Sequence, residues 1–166
     1  YYGTGTDVEK STTKTGVLIT NLGTPDRPVC PGLRKYLSEF LQDPRVIELP
    51  RFFRWLLVKG IIINFRAHKS ARTYRQIWTE DGSPLLLNTA KLAKASSALL
   101  DTDYVLEYGK RYGKPSIESA LKNLHQAGVR KVIVLPLYPQ YSGSTNGSTF
   151  DAVADALKKF RWVPSI

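Results

Sequence analysis

The sequence has no methionine, one cysteine (Cys30) and only two histidines (His68 and His125) in 166 residues. A single thiol excludes an intramolecular disulfide and suits a reducing compartment. Cys30, His68 and His125 are far apart in the chain and lack the spacing of a zinc site. No Ser/His/Asp or Cys/His grouping marks a nucleophilic centre. Long apolar runs are also missing. Residues 55–58 and 60–63 are interrupted by Lys59 and fall well short of the roughly 18 residues of a membrane-spanning helix. The polar N-terminus has no apolar stretch of the signal-peptide kind. The missing initiator methionine reads as a piece of a longer chain, with residues 1–14 as a polar tail.

Acidic residues are scarce as well. Lys and Arg number 24 against 14 Asp and Glu, a net charge of +10. That excess attracts anions such as nucleic acid, acidic lipid or carboxylate-rich small molecules, and charge alone does not choose among them. A hydrophobic fraction of 42% and a charged fraction of 23% are ordinary for one globular domain with its own core.

Three short β-branched segments, at 16–22, 104–108 and 131–137, are bounded by Gly or Pro and read as buried parallel strands. Helical periodicity separates them. Residues 32–41 place Leu33, Tyr36, Leu37, Phe40 and Leu41 on one face. Residues 116–127 do the same with Ile117, Ala120, Leu121 and Leu124, ahead of a stop at Gly128. A last helix is expected from Ser148, with Ser148 and Asp151 as a capping box and a stripe of Phe150, Val153, Ala154, Leu157 and Phe160. The order predicts an α/β, doubly wound parallel sheet. The long helical insertion at 51–100 should cover the mouth of that sheet, and a fourth strand has room to begin after Trp162.

Ligands of open parallel sheets bind beyond the carboxyl ends of the strands. Three loops leave those ends, at 21–26, 109–116 and 138–147, all rich in Gly, Pro, Ser and Tyr. Each reads as turn chemistry or as part of a site; three on one edge favour a site. The third also opens a helix, as a phosphate cradle does, but no Walker or GxGxxG pattern is present. A flavodoxin-like nucleotide or flavin binder and a non-enzymatic basic module for anionic partners or membrane surfaces are the alternatives that fold and charge leave open.

Four motifs in these loops go further. Asn21-Leu22-Gly23-Thr24-Pro25, Gly82-Ser83-Pro84, Arg111-Tyr112-Gly113 with Pro115-Ser116, and Tyr138-Pro139-Gln140-Tyr141-Ser142 followed by Ser144-Thr145 and Gly147-Ser148 resemble, in order and spacing, the signature elements of ferrochelatases. The resemblance covers about residues 15–166. It implies one Rossmann- or flavodoxin-like lobe of a two-lobe chelatase fold that inserts ferrous iron into protoporphyrin to form haem. It further implies that the family's metal-facing His and partner Glu belong to a second lobe, so that no catalytic residue lies in this chain and the chain alone is inactive. Porphyrin is the implied partner, nucleic acid is not, and the implied location is cytoplasmic, peripheral to the inner membrane.

By the same resemblance, Arg66 pairs with a porphyrin propionate, Tyr74 and Leu22 touch the ring, and Ser83 holds a propionate at a helix N-terminus while also serving as its cap with Pro84 at N1. Asn21, Gly23, Arg111, Tyr112, Tyr141 and Ser142 belong to the cleft loops. Leu22 stands where coproporphyrin-using members carry Tyr, so the protoporphyrin branch is implied. Gly143 stands where animal members carry a cluster-ligating Cys, so no [2Fe–2S] cluster is expected; no cofactor is bound permanently and ferrous iron enters as substrate. Residues 78–81 before Gly82 resemble bacterial members. Lys110 replaces a residue that is often apolar. Residues 52–63 mix aromatic, aliphatic and basic side chains and read as half core and half an apolar lip at a membrane surface.

Overall fold

A computed structural model describes residues 14–166. The expected polar tail lies almost entirely outside the described residues. Three strands, β1 (Thr15–Gly23), β2 (Tyr104–Tyr112) and β3 (Lys131–Pro136), form a parallel sheet in the order β2-β1-β3. Val17 of β1 lies level with Leu106 on one side and Ile133 on the other. Past β3, Ser165 makes a parallel bridge to Lys131, with its N–H on the Arg130 carbonyl at 2.9 Å. A fourth strand was expected near this point.

Among the described residues there are six α-helices: α1 (Cys30–Leu41), α2 (Arg51–Trp55), α3 (Ile63–Ile77), α4 (Pro84–Ser97), α5 (Ile117–Gln126) and α6 (Ser148–Leu157). Period-two alternation in β1 assigns them to faces. Leu18 points into the main core, with Ile117, Leu121 and Leu124 of α5, Val132 of β3, and Val153 and Ala156 of α6. Three residues along the strand, Asn21 faces the other way and its side chain donates to Thr89 Oγ1 of α4 at 3.4 Å. Helices thus cover both faces, the doubly wound arrangement.

The first part of the insertion, residues 51–77, is one nearly continuous helical run, and a turn at 78–83 separates it from α4, which packs on β1 and β2. A π-helical segment, Leu56–Ile62, joins α2 to α3. Its inner side packs Val58 and Ile63 against Leu41 of α1 in a second core. Its outer side leaves Phe52, Phe53, Trp55, Leu56, Ile61 and Phe65 exposed, Phe65 by 79%. One side packed and one side exposed is the division the sequence suggests for residues 52–63.

Four local expectations need correction. The strand β2 runs on through Tyr112, so residues 109–112 are strand rather than loop; pairing of Asn21 with Lys110 and Gly23 with Tyr112 extends the ladder. The capping box at Ser148 does not form. A π-helical turn, Gly143–Gly147, starts the helix one turn earlier, and Ser148 and Asp151 turn to other partners. Of the expected stripe of α6, Val153, Leu157 and Phe160 pack in or against the main core, whereas Phe150 and Ala154 are exposed and Thr149 and Ala156 are buried in their place. Ser83 does occupy the N-cap of α4 with Pro84 next, but its hydroxyl makes no capping bond, and the helix ends at Ser97.

Candidate functional site

α3 presents a groove of about 340 Å³ lined by Arg66, Lys69, Ser70, Thr73 and Tyr74. Spacings of three and four residues put these side chains on one helical flank. Opposite turns of the same helix bury Ile63, Ala67 and Ala71, so the helix is anchored on one side and open on the other. Arg66 and Lys69 make no ion pair among the described residues. The groove therefore offers a planar guanidinium, an ammonium, two hydroxyls and a half-buried phenol ring. That set suits a flat, partly apolar ligand with anionic substituents.

Tyr74 is braced from two sides. Trp78 meets it edge-on at 6.5 Å and Tyr36 of α1 at 6.4 Å. Neither Ser83 nor Leu22 lines the groove. Ser83 is buried at the head of α4, after a turn in which Thr79 and Gly82 exchange backbone hydrogen bonds of 3.1 Å. Leu22 is half-buried at the end of β1, its N–H held by Asn21 Oδ1 at 2.8 Å. Gly23 follows with φ +113°, where a Cβ would sit 2.0 Å from the Tyr112 carbonyl, so only glycine fits between β1 and β2 at this point.

Arg111 and Tyr112 belong to a buried hub around Asp43, which is 5% exposed. Arg111 Nη2 donates to Asp43 Oδ2 at 2.6 Å, the Tyr112 hydroxyl at 2.8 Å and Ser148 Oγ at 2.5 Å, while the Arg45 N–H donates to Oδ1 at 2.8 Å. Burial pushes the Asp43 carboxyl upward. The bonds from Ser148, Arg45 and Tyr112 and the Arg111 charge outweigh burial and hold it below the usual carboxylate range. Burial also raises the Tyr112 phenol. The hub pins the α1–α2 connection, the end of β2 and the start of α6 together. Sequence reasoning missed Asp43, and its only signal was an acid between the apolar end of α1 and Pro44.

Tyr141 is 74% exposed. Ser142 caps the π-helical turn, its N–H on Asn146 Oδ1 at 3.4 Å and its hydroxyl 2.9 Å from Ser144 Oγ. Cys30 and His68, distant in sequence, meet with Sγ 3.6 Å from Nε2. Among the described residues no three His, Cys, Asp or Glu side chains gather to hold a metal ion. Lys110 is 4% exposed; burial lowers its ammonium pKa, opposed by the charge of Asp26.

The sequence model of one family, described as Ferrochelatase, matches residues 14–166. The chain belongs to the ferrochelatase family. It is 54% identical over 155 residues to a curated ferrochelatase of Thioalkalivibrio sulfidiphilus, covering 91% of this chain and 42% of that protein. A ferrochelatase of Marinobacter nauticus is 53% identical over 153 residues, 90% of this chain and 41% of the relative. One of Pseudoalteromonas atlantica is 46% identical over 170 residues, 100% of this chain and 47% of the relative. The chain thus spans less than half the length of these ferrochelatases.

Within that family assignment, the residues read from sequence fall in separate places. The fold brings Arg66 and Tyr74 together in the groove and adds Lys69, Ser70 and Thr73, which the i+3, i+4 and i+7 spacing from Arg66 was enough to find. It packs Gly23 against Tyr112. Tyr112 is itself a core residue, closed to a ligand.

Proposed function

We propose that the protein inserts ferrous iron into a porphyrin to make haem, and that the α3 groove holds the porphyrin by its edge. One observation carries this: Arg66, Lys69 and Tyr74 share one open groove, two cations beside an aromatic wall. Protoporphyrin carries two propionates on a flat apolar ring. Arg66 is placed to take one in bidentate fashion, Lys69 adds a point charge, and Tyr74 lies against the ring. Leu22 supplies an apolar contact from the end of β1. Ser83, at the head of α4, is a second station for a propionate, where helix N–H groups favour negative charge.

Metal insertion requires two pyrrole N–H protons to leave. No imidazole or carboxylate lines the groove, so this surface holds and orients while a base from elsewhere accepts the protons. Ferrous iron enters as a substrate. Position 143 is glycine and the one thiol of this segment lies beside His68, so residues 14–166 offer at most one cysteine to a cluster.

The exposed aromatic and aliphatic side chains of α2, the π-helical segment and α3 stand among Arg51, Arg54, Lys59 and Arg66. Apolar side chains rimmed by cations suit the interface of an anionic bilayer, where a hydrophobic porphyrin partitions. No helix of the described residues is long and apolar enough to cross a membrane, and the reading is of a cytoplasmic enzyme resting on the membrane surface.

The test is iron insertion by the enzyme in its full relatives' length. Arg66→Ala and Lys69→Ala should each raise the KM for porphyrin and leave the KM for iron unchanged. Unaltered porphyrin KM in both would refute the placement.

A further inference from the structure

Tyr36 does not line the α3 groove, yet its ring meets the groove's aromatic wall. It lies edge-on to Tyr74, with centroids 6.4 Å apart and rings at 72°. On its other side it stacks over Phe40 at 6.3 Å, and Phe40 meets Tyr112 edge-on at 5.2 Å. Tyr112 in turn donates to Asp43 in the buried hub. The Tyr36 hydroxyl points at the carbonyl of Gly23, 3.4 Å away, a long contact to the residue that follows Leu22. The side chain is therefore a junction. It touches the end of β1, the groove wall on α3, and an aromatic row that ends in the most heavily hydrogen-bonded carboxylate of the fold.

This junction matters because a flat macrocycle cannot adapt its shape to its contacts as a flexible ligand does. Leu22 and Tyr74 sit on different elements, and nothing in the backbone of either fixes the distance between them. Tyr36, buried to 6% exposure, is in a close-packed setting where displacement of one ring is felt by its neighbours. A ring packed edge-on against such a neighbour also has fewer rotamers open to it. Burial and the nearby phenols of Tyr74, Tyr112 and Tyr138 push the Tyr36 phenol far above the usual range, so it stays neutral and keeps its proton for Gly23.

We infer that Tyr36 is a positioning residue that holds Tyr74 and the Leu22–Gly23 end of β1 in a fixed relation, and so sets the shape of the surface that takes the macrocycle. This rests on the porphyrin-holding role proposed above. Tyr36 acts through Tyr74 and makes no contact with the ligand.

The experiment is a double-mutant cycle read by protoporphyrin fluorescence titration, in Tyr36→Leu, Tyr74→Ala and the double variant of the full-length enzyme. Tyr36→Leu should weaken binding about tenfold in the parent background and have almost no further effect once Tyr74 is alanine. Tyr36→Phe, which keeps the ring edge against Tyr74 and loses the hydroxyl on the Gly23 carbonyl, should fall between the parent and Tyr36→Leu, and a loss as large as that of Tyr36→Leu would overturn the role of the ring contact. Should Tyr36→Leu fail to fold, Tyr36→Met fills the same gap with a flexible side chain and carries the same expectation. Equal loss in both backgrounds would reduce Tyr36 to a general core residue and overturn the inference, as would full affinity in a folded Tyr36→Leu. A full-length parent that binds no porphyrin contradicts the functional reading instead, and this inference falls with it.

Discussion

Ser148 and Asp43 lie 105 residues apart in the chain and are joined by a hydroxyl-to-carboxylate hydrogen bond of 2.5 Å. The same Asp43 oxygen accepts from Arg111 and Tyr112. Three segments of the fold thus converge on one buried charge, and the hub has direct consequences for stability.

Asp43→Asn keeps the shape and removes the charge that Arg111 faces. Loss of one partner of a buried pair costs about 3–5 kcal/mol, measured as a drop in ΔG in a denaturant melt. The pH dependence follows from the lowered carboxyl. A carboxylate held below its unfolded value of about 3.9 contributes stability that is present above that value and is lost as pH falls through the folded one. The parent should therefore lose stability in acid more steeply than Asp43→Asn does.

Lys110 predicts the opposite sign. Its ammonium is buried and its pKa lowered, so the unfolded chain holds that proton more tightly. The cost of burying the charge is fully present below the folded pKa and is relieved as pH rises through the folded and unfolded values. Lys110→Met, with a similar stem and no charge, should stabilise the fold at neutral pH by on the order of 1 kcal/mol. The gain should shrink at alkaline pH, which a melt series across pH reads directly.

Gly23→Ala tests the junction of β1 and β2. The left-handed backbone there costs a side chain roughly 1–3 kcal/mol, and the Cβ would also meet the Tyr112 carbonyl at 2.0 Å. A melting temperature close to the parent's would show that the turn relaxes.

The parallel strands were legible as short β-branched runs bounded by Gly or Pro, and the helix faces of α1 and α5 because burial imprints a period of 3.6 on apolar residues. Arg66 and Tyr74 were legible through the family resemblance, eight residues apart on one helix. What escaped was long-range and polar. Asp43 gathers partners from 68 to 105 residues away, and no local pattern announces such a convergence. Ser148 looked like a cap because Asp151 follows at the right spacing; tertiary bonds to Asp43, and from Arg45 to Asp151, won over the local option. The C-terminal half of β2 read as a loop because Gly109 and Gly113 bracket it, whereas Gly109 is there so that Ile117 of α5 can approach, 2.9 Å from a would-be Cβ.

The central claim is that the α3 groove holds a porphyrin through its two free cations and its phenol ring. Fluorescence titration of protoporphyrin into the full-length enzyme tests it most directly, with Arg66→Ala, Arg66→Lys and Lys69→Ala beside the parent. Arg66→Ala should weaken binding by about 1.5–3 kcal/mol, the range for a hydrogen bond to a charged group. Arg66→Lys should recover part of that, since the charge remains and the planar fork is lost, and Lys69→Ala should lose affinity in a salt-dependent way. Melting temperatures should stay at the parent value, because both side chains are exposed. If Arg66→Ala and Lys69→Ala, both folded, bind protoporphyrin as tightly as the parent, the porphyrin lies elsewhere and the account is contradicted.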